Sequence, residues 1–205
     1  MKKLIAFLLA AVIAGTALSF AVFLIIRDKE PTVPPASDAL SVSETNGCRI
    51  MDFFPYTGEN PEDGSFSPVE KVAAIRIKNN SSIDLRYAEI TVKTNARDYV
   101  FLATSLLAGA QMTVLESGGA VPEEGETVKS AEMTSMDAFE EIPSLHSELF
   151  TTAFSEGKLT VKNISSEDIN GTVCVYFKAA DENGTFGGIT FRAVFNGLKA
   201  GESKT

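Results

Sequence analysis

His146 is the only histidine in the chain, set in Ser144-Leu145-His146-Ser147-Glu148, and any Ser-His-Asp relay would have to be built on it. Serines and carboxylates are too plentiful to single out its partners, and the Gly-x-Ser-x-Gly elbow that presents a nucleophilic serine is missing. It reads as a surface loop histidine. With Cys48 and Cys174 it lacks the short paired spacings of a zinc site. Oxygen ligands for calcium are offered by Glu59, Asn60, Glu62 and Asp63 around a glycine-bearing loop, and by Asp181, Glu182 and Asn183. Neither set follows the EF-hand spacing, and both have the composition of solvated acidic turns. Glu123-Glu124 and Glu140-Glu141 resemble acid/base pairs, but repulsion between solvated carboxylates is the simpler account. Asn79, Asn80, Asn163, Asn170 and Asn183 each fit Asn-x-Ser/Thr, the glycan-acceptor pattern of eukaryotic secretory proteins. There is no phosphate-cradling glycine loop and no basic-aromatic surface pattern. The residue types point to a protein that is not an enzyme and holds no cofactor.

What does stand out is a repeat. The octet KNNSSIDL at 78–85 returns as KNISSEDI at 162–169, each copy lying between two strand-like runs. Each is followed later by a related stop, Leu106-Leu107-Ala108-Gly109 and then Leu198-Lys199-Ala200-Gly201. Self-similarity on this scale signals a duplicated supersecondary unit. Asn and Ser side chains bond to nearby backbone, so the octet is expected to act as a connection between strands.

The first 26 residues differ from the rest. Lys2 and Lys3 precede an uncharged run from Leu4 to Ile26, long enough as a helix at ~1.5 Å per residue to cross ~30 Å of hydrocarbon. A cleaved signal peptide ending near Ala17-Leu18-Ser19 is the alternative, but the apolar run continues past that point. Residues 1–26 therefore read as an uncleaved signal anchor. The lysines put the N-terminus in the cytoplasm and the remainder outside the cell membrane, in single-pass topology. Residues 27–47, with Pro31, Pro34 and Pro35, read as a disordered linker. Residues 1–30 hold four basic and two acidic residues, so the remaining 175 carry 14 basic and 25 acidic ones. That excess of negative charge disfavours nucleic acid as a partner. An exported location permits a disulfide between Cys48 and Cys174; two separate thiols, one in a strand core, is the plainer reading.

Beyond the linker the pattern is strand after strand. Arg49–Phe54 ends at Pro55, and Gly58–Gly64 is rich in turn residues. Ile75 and Ile77 share one face of the next strand, and Ala88, Ile90 and Val92 alternate with Glu89, Thr91 and Lys93. Tyr99–Leu102, Met112–Leu115 and Val128–Phe139 follow, the last inside an acidic tract, where Met133, Met136 and Phe139 would also suit a helical stripe. In the second copy, Gly187-Gly188 suggests a bulge within a strand. The expected fold is all-β: two tandem immunoglobulin-like antiparallel β-sandwich modules, at 48–142 and 143–205, after an N-terminal transmembrane helix. A single sandwich formed by both repeats is the alternative.

Aligned on the octet, Cys174 falls at the position of Ile90 and Tyr176 at that of Val92, and both are expected to face the core. The opposite face then carries Val173, Val175 and Phe177 where the first copy has Glu89, Thr91 and Lys93. A strand apolar on both faces is normally covered on both. Val173, Val175 and Phe177 are therefore the expected interaction face. The second copy also stops soon after Gly201 and is expected to lack the strand that Gln111–Leu115 supplies to the first.

Cys48-Arg49-Ile50-Met51-Asp52-Phe53, Tyr87-Ala88-Glu89-Ile90, Phe186–Thr190, the Asp181-Glu182-Asn183-Gly184 turn and the closing Leu-x-Ala-Gly-Glu-Ser make residues 48–203 resemble uncharacterised membrane-anchored proteins of Gram-positive bacteria with FxLYD-type immunoglobulin-like repeats. Lys178 follows Tyr176-Phe177 where that pattern has Asp. The resemblance implies a sandwich fold and favours a turn role for the Asn-x-Ser/Thr asparagines. The function expected is a membrane-anchored extracytoplasmic module for interaction or structure at the cell envelope, with an envelope protein or wall component as partner. The alternative is a ligand- or calcium-binding accessory subunit of a membrane complex.

Overall fold

The computed structural model describes residues 7–13, 44–141, 143–155, 157–181 and 184–205. Every regular element among them is a strand: β1 (Phe7–Ile13), β2 (Glu44–Thr45), β3 (Cys48–Asn60), β4 (Ser67–Asn79), β5 (Leu85–Thr94), β6 (Asp98–Leu106), β7 (Gln111–Leu115), β8 (Val128–Ala138), β9 (Phe150–Ser155), β10 (Lys158–Asn163), β11 (Ile169–Lys178), β12 (Ala180–Asp181), β13 (Gly184–Thr185), β14 (Phe191–Leu198) and β15 (Ser203–Lys204). The chain divides into two compact units. The first-copy unit takes Glu30–Phe139 together with Glu182–Ile189; the second-copy unit takes Glu140–Asp181, Thr190–Thr205 and β1. The division falls between Phe139 and Glu140, and eight residues of the second repeat, Glu182–Ile189, belong to the first-copy unit.

In the first-copy unit, antiparallel sheets β2-β3-β4-β7 and β6-β5-β8 face each other across one core. Alternation builds that core. Ala88, Ile90 and Val92 of β5 stand opposite Ala103, Phe101 and Tyr99 of β6, and all six are buried. From the other sheet Ile50, Ile75, Ile77, Met112 and Val114 meet them. β3 runs on through Pro55, which was expected to end it. β2 reaches only Arg49 and Cys48, so at Pro55 the outer edge of β3 has no ladder there and the absent N–H costs nothing. Asn46-Gly47 belongs to this unit too, as the two-residue turn joining β2 to β3, with both residues at positive φ (49° and 76°) as such hairpins require.

The second-copy unit pairs sheets β15-β10-β9 and β1-β11-β14. β15 is two residues long but holds the place of β7: Lys204 pairs with Val161 as Met112 pairs with Ile77. The strand expected to be missing is therefore present in short form. The place held by β8 beside β5 is taken here by β1, antiparallel to β11 from Phe7↔Lys178 to Ile13↔Thr172. The described part of the apolar N-terminal run is thus a strand. The rest of the expected anchor, and residues 27–43 of the linker, lie outside the described residues. Among the described residues no helix is long and apolar enough to cross a membrane.

The face of β11 that meets the core is the reverse of the one expected. Val173 and Val175 are fully buried and pack, with Phe177 beside them, among Phe150, Leu159, Val161 and Phe195. The cause is one residue. Ladder partners run Ile169↔Leu198 and then Thr172↔Asn196, a bulge that adds a residue to β11 between Ile169 and Thr172. Val173, Val175 and Phe177 thereby stand opposite Phe195, Ala193 and Phe191, the places of Ala88, Ile90 and Val92 in the first copy. A one-residue slip exchanges the two faces of everything downstream. Cys174 and Tyr176 lie on the other face.

Candidate interaction site

The octet is a hydrogen-bonded knot, built alike in both units around a buried asparagine. Asn79 is fully buried at the end of β4. Its Nδ2 donates to the carbonyls of Ile83 (2.8 Å) and Leu106 (3.0 Å), and its Oδ1 accepts from the Ser81 N–H (2.9 Å) and hydroxyl (2.7 Å). Its own N–H donates to the Ala110 carbonyl (2.9 Å), and its carbonyl accepts from the Gly109 N–H (2.8 Å). Asp84 accepts from the Ala108 N–H (2.8 Å). Asn163 repeats this with Glu167 (2.7 Å), Leu198 (3.1 Å) and Ser165 (2.9 and 2.7 Å), and Asp168 with Ala200 (2.8 Å). The octet and the Leu-x-Ala-Gly stop are two halves of one structure. Each amide has all its hydrogen-bonding capacity satisfied, as a buried polar group must. Asn79 and Asn163 therefore have turn roles and no free nitrogen for a glycan.

Phe186–Gly188 forms the second constellation, inside the first-copy unit. The Gly187 N–H donates to the Thr113 carbonyl of β7 (2.7 Å), and the Gly187 carbonyl accepts from the Thr104 N–H of β6 (2.7 Å). Three residues thus stitch together the edges of two facing sheets. Phe186 is buried and meets the Tyr56 ring edge-on at 5.6 Å. Glu62 accepts from the Gly188 N–H (2.8 Å) through Oε1 and from the Leu115 N–H (3.0 Å) through Oε2. A Cβ on Gly188 would lie 2.2 Å from the Glu62 carboxylate, and one on Gly187 2.9 Å from Val114. Close approach, not a bulge within a strand, is what requires these glycines. Sequence reasoning missed this use of Glu62, because its partners are 53 and 126 residues away.

The remaining chemistry-bearing residues are occupied locally. Asn60 Oδ1 accepts from the Glu62 N–H and Asp63 Oδ1 from the Ser65 N–H, which holds the Asp63 carboxyl below its ordinary range. With Glu62 engaged as above, that acidic loop is a set of turn and docking contacts. Glu182 and Asn183 lie outside the described residues. Among the described residues no three of His, Cys, Asp and Glu are grouped to hold a metal. His146 is half-buried, not a surface residue, and its Nδ1 lies 3.1 Å from Glu148. Glu123 pairs with Arg97 at 3.1 Å. Glu126, which the sequence did not single out, accepts from Thr94, from the Tyr99 hydroxyl (2.8 Å) and from the Glu123 N–H (2.8 Å). Burial works against its charge, but these donors outweigh it and lower its pKa. The Tyr99 hydroxyl is pushed up from 10.0 to about 12, first by burial and then by Glu126. Cys48 and Cys174 are both buried free thiols, and burial pushes Cys48 up to about 11.

Val173, Val175 and Phe177 face the interior of their own unit, so they are not the surface offered to a partner. Besides its bulge, β11 differs from β5 in its outer edge, which is filled from a distant part of the chain. No family model matches the chain, and neither the curated proteins nor the solved structures yield a match.

Proposed function

We propose that this is a membrane-anchored extracytoplasmic protein whose two β units, of immunoglobulin-like architecture, serve interaction or structure at the cell envelope. The observation that carries this reading is the use of its polar residues. Asn79, Asn163, Asn60, Glu62, Asp63 and Glu126 are bound to backbone groups or to neighbouring side chains, as in a scaffold, and among the described residues they are not gathered around a reacting position. The uncharged run from Leu4 to Ile26 behind Lys2 and Lys3 supports attachment. The acidic excess keeps the units soluble and turns nucleic acid away.

Protease shaving tests the proposal. External protease added to intact cells should remove an epitope placed after Thr205, while one placed before Lys2 survives until the membrane is opened. A C-terminal epitope that resists until lysis would refute the topology. Hydrolytic or transfer activity that disappears with His146→Ala would refute the non-enzymatic reading.

A further inference from the structure

Phe186 pairs with Thr113 in an isolated parallel bridge, so Phe186–Gly188 runs beside β7 and alternates as a strand does. Phe186 turns to the outer face of the sheet, edge-on to Tyr56. Gly187 turns inward, where a Cβ would meet Val114 and Met112, and Gly188 turns back out to Glu62. β7 shows the effect of this cover. Met112 and Val114 face the core, whereas Thr113 and Leu115 point the opposite way and are still only 6% and 2% exposed. On β4, Val72 and Ala74 share that outer face and are buried, but Arg76 and Lys78 farther along it are half-buried. The outer face is thus closed at the end that holds Tyr56 and Phe186, and less covered beyond it.

This strap is supplied by the second repeat. The chain enters the first-copy unit after Asp181 and returns to the second-copy unit after Ile189. Two residues on, the Phe191 ring stacks on Phe177 at 5.3 Å, and Phe177 packs against the second-copy core. We infer that Phe186–Gly188 is a coupling strap, a conformational device through which loosening either unit loosens the other. With the second-copy unit folded, both ends of the strap are held, and docking has little chain left to order. With that unit unfolded, docking must draw the strap from a flexible chain, at a cost in conformational entropy. The strap therefore docks more firmly when the second-copy unit is folded, and linkage requires the converse by the same factor. This coupling does not depend on attachment to a membrane.

Hydrogen exchange on the full chain, read by mass, tests both directions. Val175→Asp opens the second-copy unit, which loss of protection in 158–163 reports; if that chain is insoluble, Asn163→Ala opens the same unit more mildly. The Thr104, Gly187 and Gly188 amides, which hold the strap and its Glu62 contact, should then exchange about tenfold faster. The Asn79 amide, bonded to Ala110, should stay protected. Loss at Asn79 as well would extend the coupling to the whole first-copy unit. In the converse arm, Phe186→Asp with Gly187→Ala pushes the strap out, and 191–198 should exchange faster by the same factor. Wild-type protection at Thr104, Gly187 and Gly188 with the second-copy unit open would overturn the coupling. So would a double variant that exposes Thr104 but leaves 191–198 unchanged. Thr104 still protected in the double variant would show that the strap is not what holds it, and would overturn the device itself.

Discussion

Strands β5 and β11 hold the same place in the two copies, each starting from an identical asparagine knot and each central in a three-stranded sheet. They differ in two ways: one extra residue in β11, and the source of the strand along the outer edge. The difference teaches which parts of a duplicated unit are free to change. The knot satisfies a buried amide by four hydrogen bonds and tolerates no substitute of another shape, so it is kept in both copies. Register is fixed by which side chains meet the core, and an inserted residue can be absorbed as a bulge if the downstream pattern shifts with it. Edge pairing is made of backbone, so any segment of suitable chemistry serves.

The largest effect should come from breaking the register of β11. Val175→Asp puts an unpaired carboxylate where a fully buried valine packs, and should cost ~4 kcal/mol or more. Tyr176→Asp, on the opposite and partly exposed face, should cost less than half as much in urea denaturation. Equal losses at the two positions would contradict the face assignment.

Next are the knots. Asn79→Ala and Asn163→Ala each strand two carbonyls and two Ser donors, and each should lower the stability of its own unit by about 3 kcal/mol. Two probes in chemical denaturation, one in each unit, would show whether the losses match. Unequal losses would mean that the shared geometry is not shared energetics. Gly188→Ala should cost about 1–3 kcal/mol, because its Cβ must displace Glu62 from two backbone N–H groups. The first-copy unit should lose cooperativity at lower urea, whereas Gly184→Ala, with open space around its Cβ, should show only the strain of its φ of 129°.

The smallest effect is a pH dependence confined to the first-copy unit. Tyr99 holds its proton up to about 12 when folded against 10.0 ordinarily, so between those values the unfolded chain binds fewer protons than the native one. The Tyr99 contribution is complete below pH 10.0 and is lost as pH rises toward about 12, overlapping the loss that begins above pH 9.0 from the Cys48 thiol, which burial holds up to about 11. Tyr99→Phe should flatten that slope in alkaline denaturation curves. A slope unchanged by the substitution would remove Tyr99 as its source.

Much of the architecture was legible in the residues. Period-2 alternation at Ala88, Ile90 and Val92 placed β5 and its inward face, and turn residues placed most of the connections. The repeated octet marked the duplication. Its role as a connection tied by local Asn and Ser bonds was legible as well; its long-range half was not, since Asn79 also reaches Leu106 and Asn163 also reaches Leu198, and sequence similarity does not reveal a distant hydrogen bond. The bulge was hidden for a related reason: one added residue at the start of β11 leaves the preceding motif intact but reverses the faces beyond it.

The sequence by itself determined an all-β chain with two related copies, because strand alternation and local turn chemistry are written over short spans. Only the tertiary structure decided which face of β11 is core, that Phe186–Gly188 serves the first-copy unit, and that β1 takes the place beside β11 that β8 takes beside β5. Those outcomes depend on contacts between residues tens to more than a hundred positions apart, and the energies that select them arise only when distant strands meet.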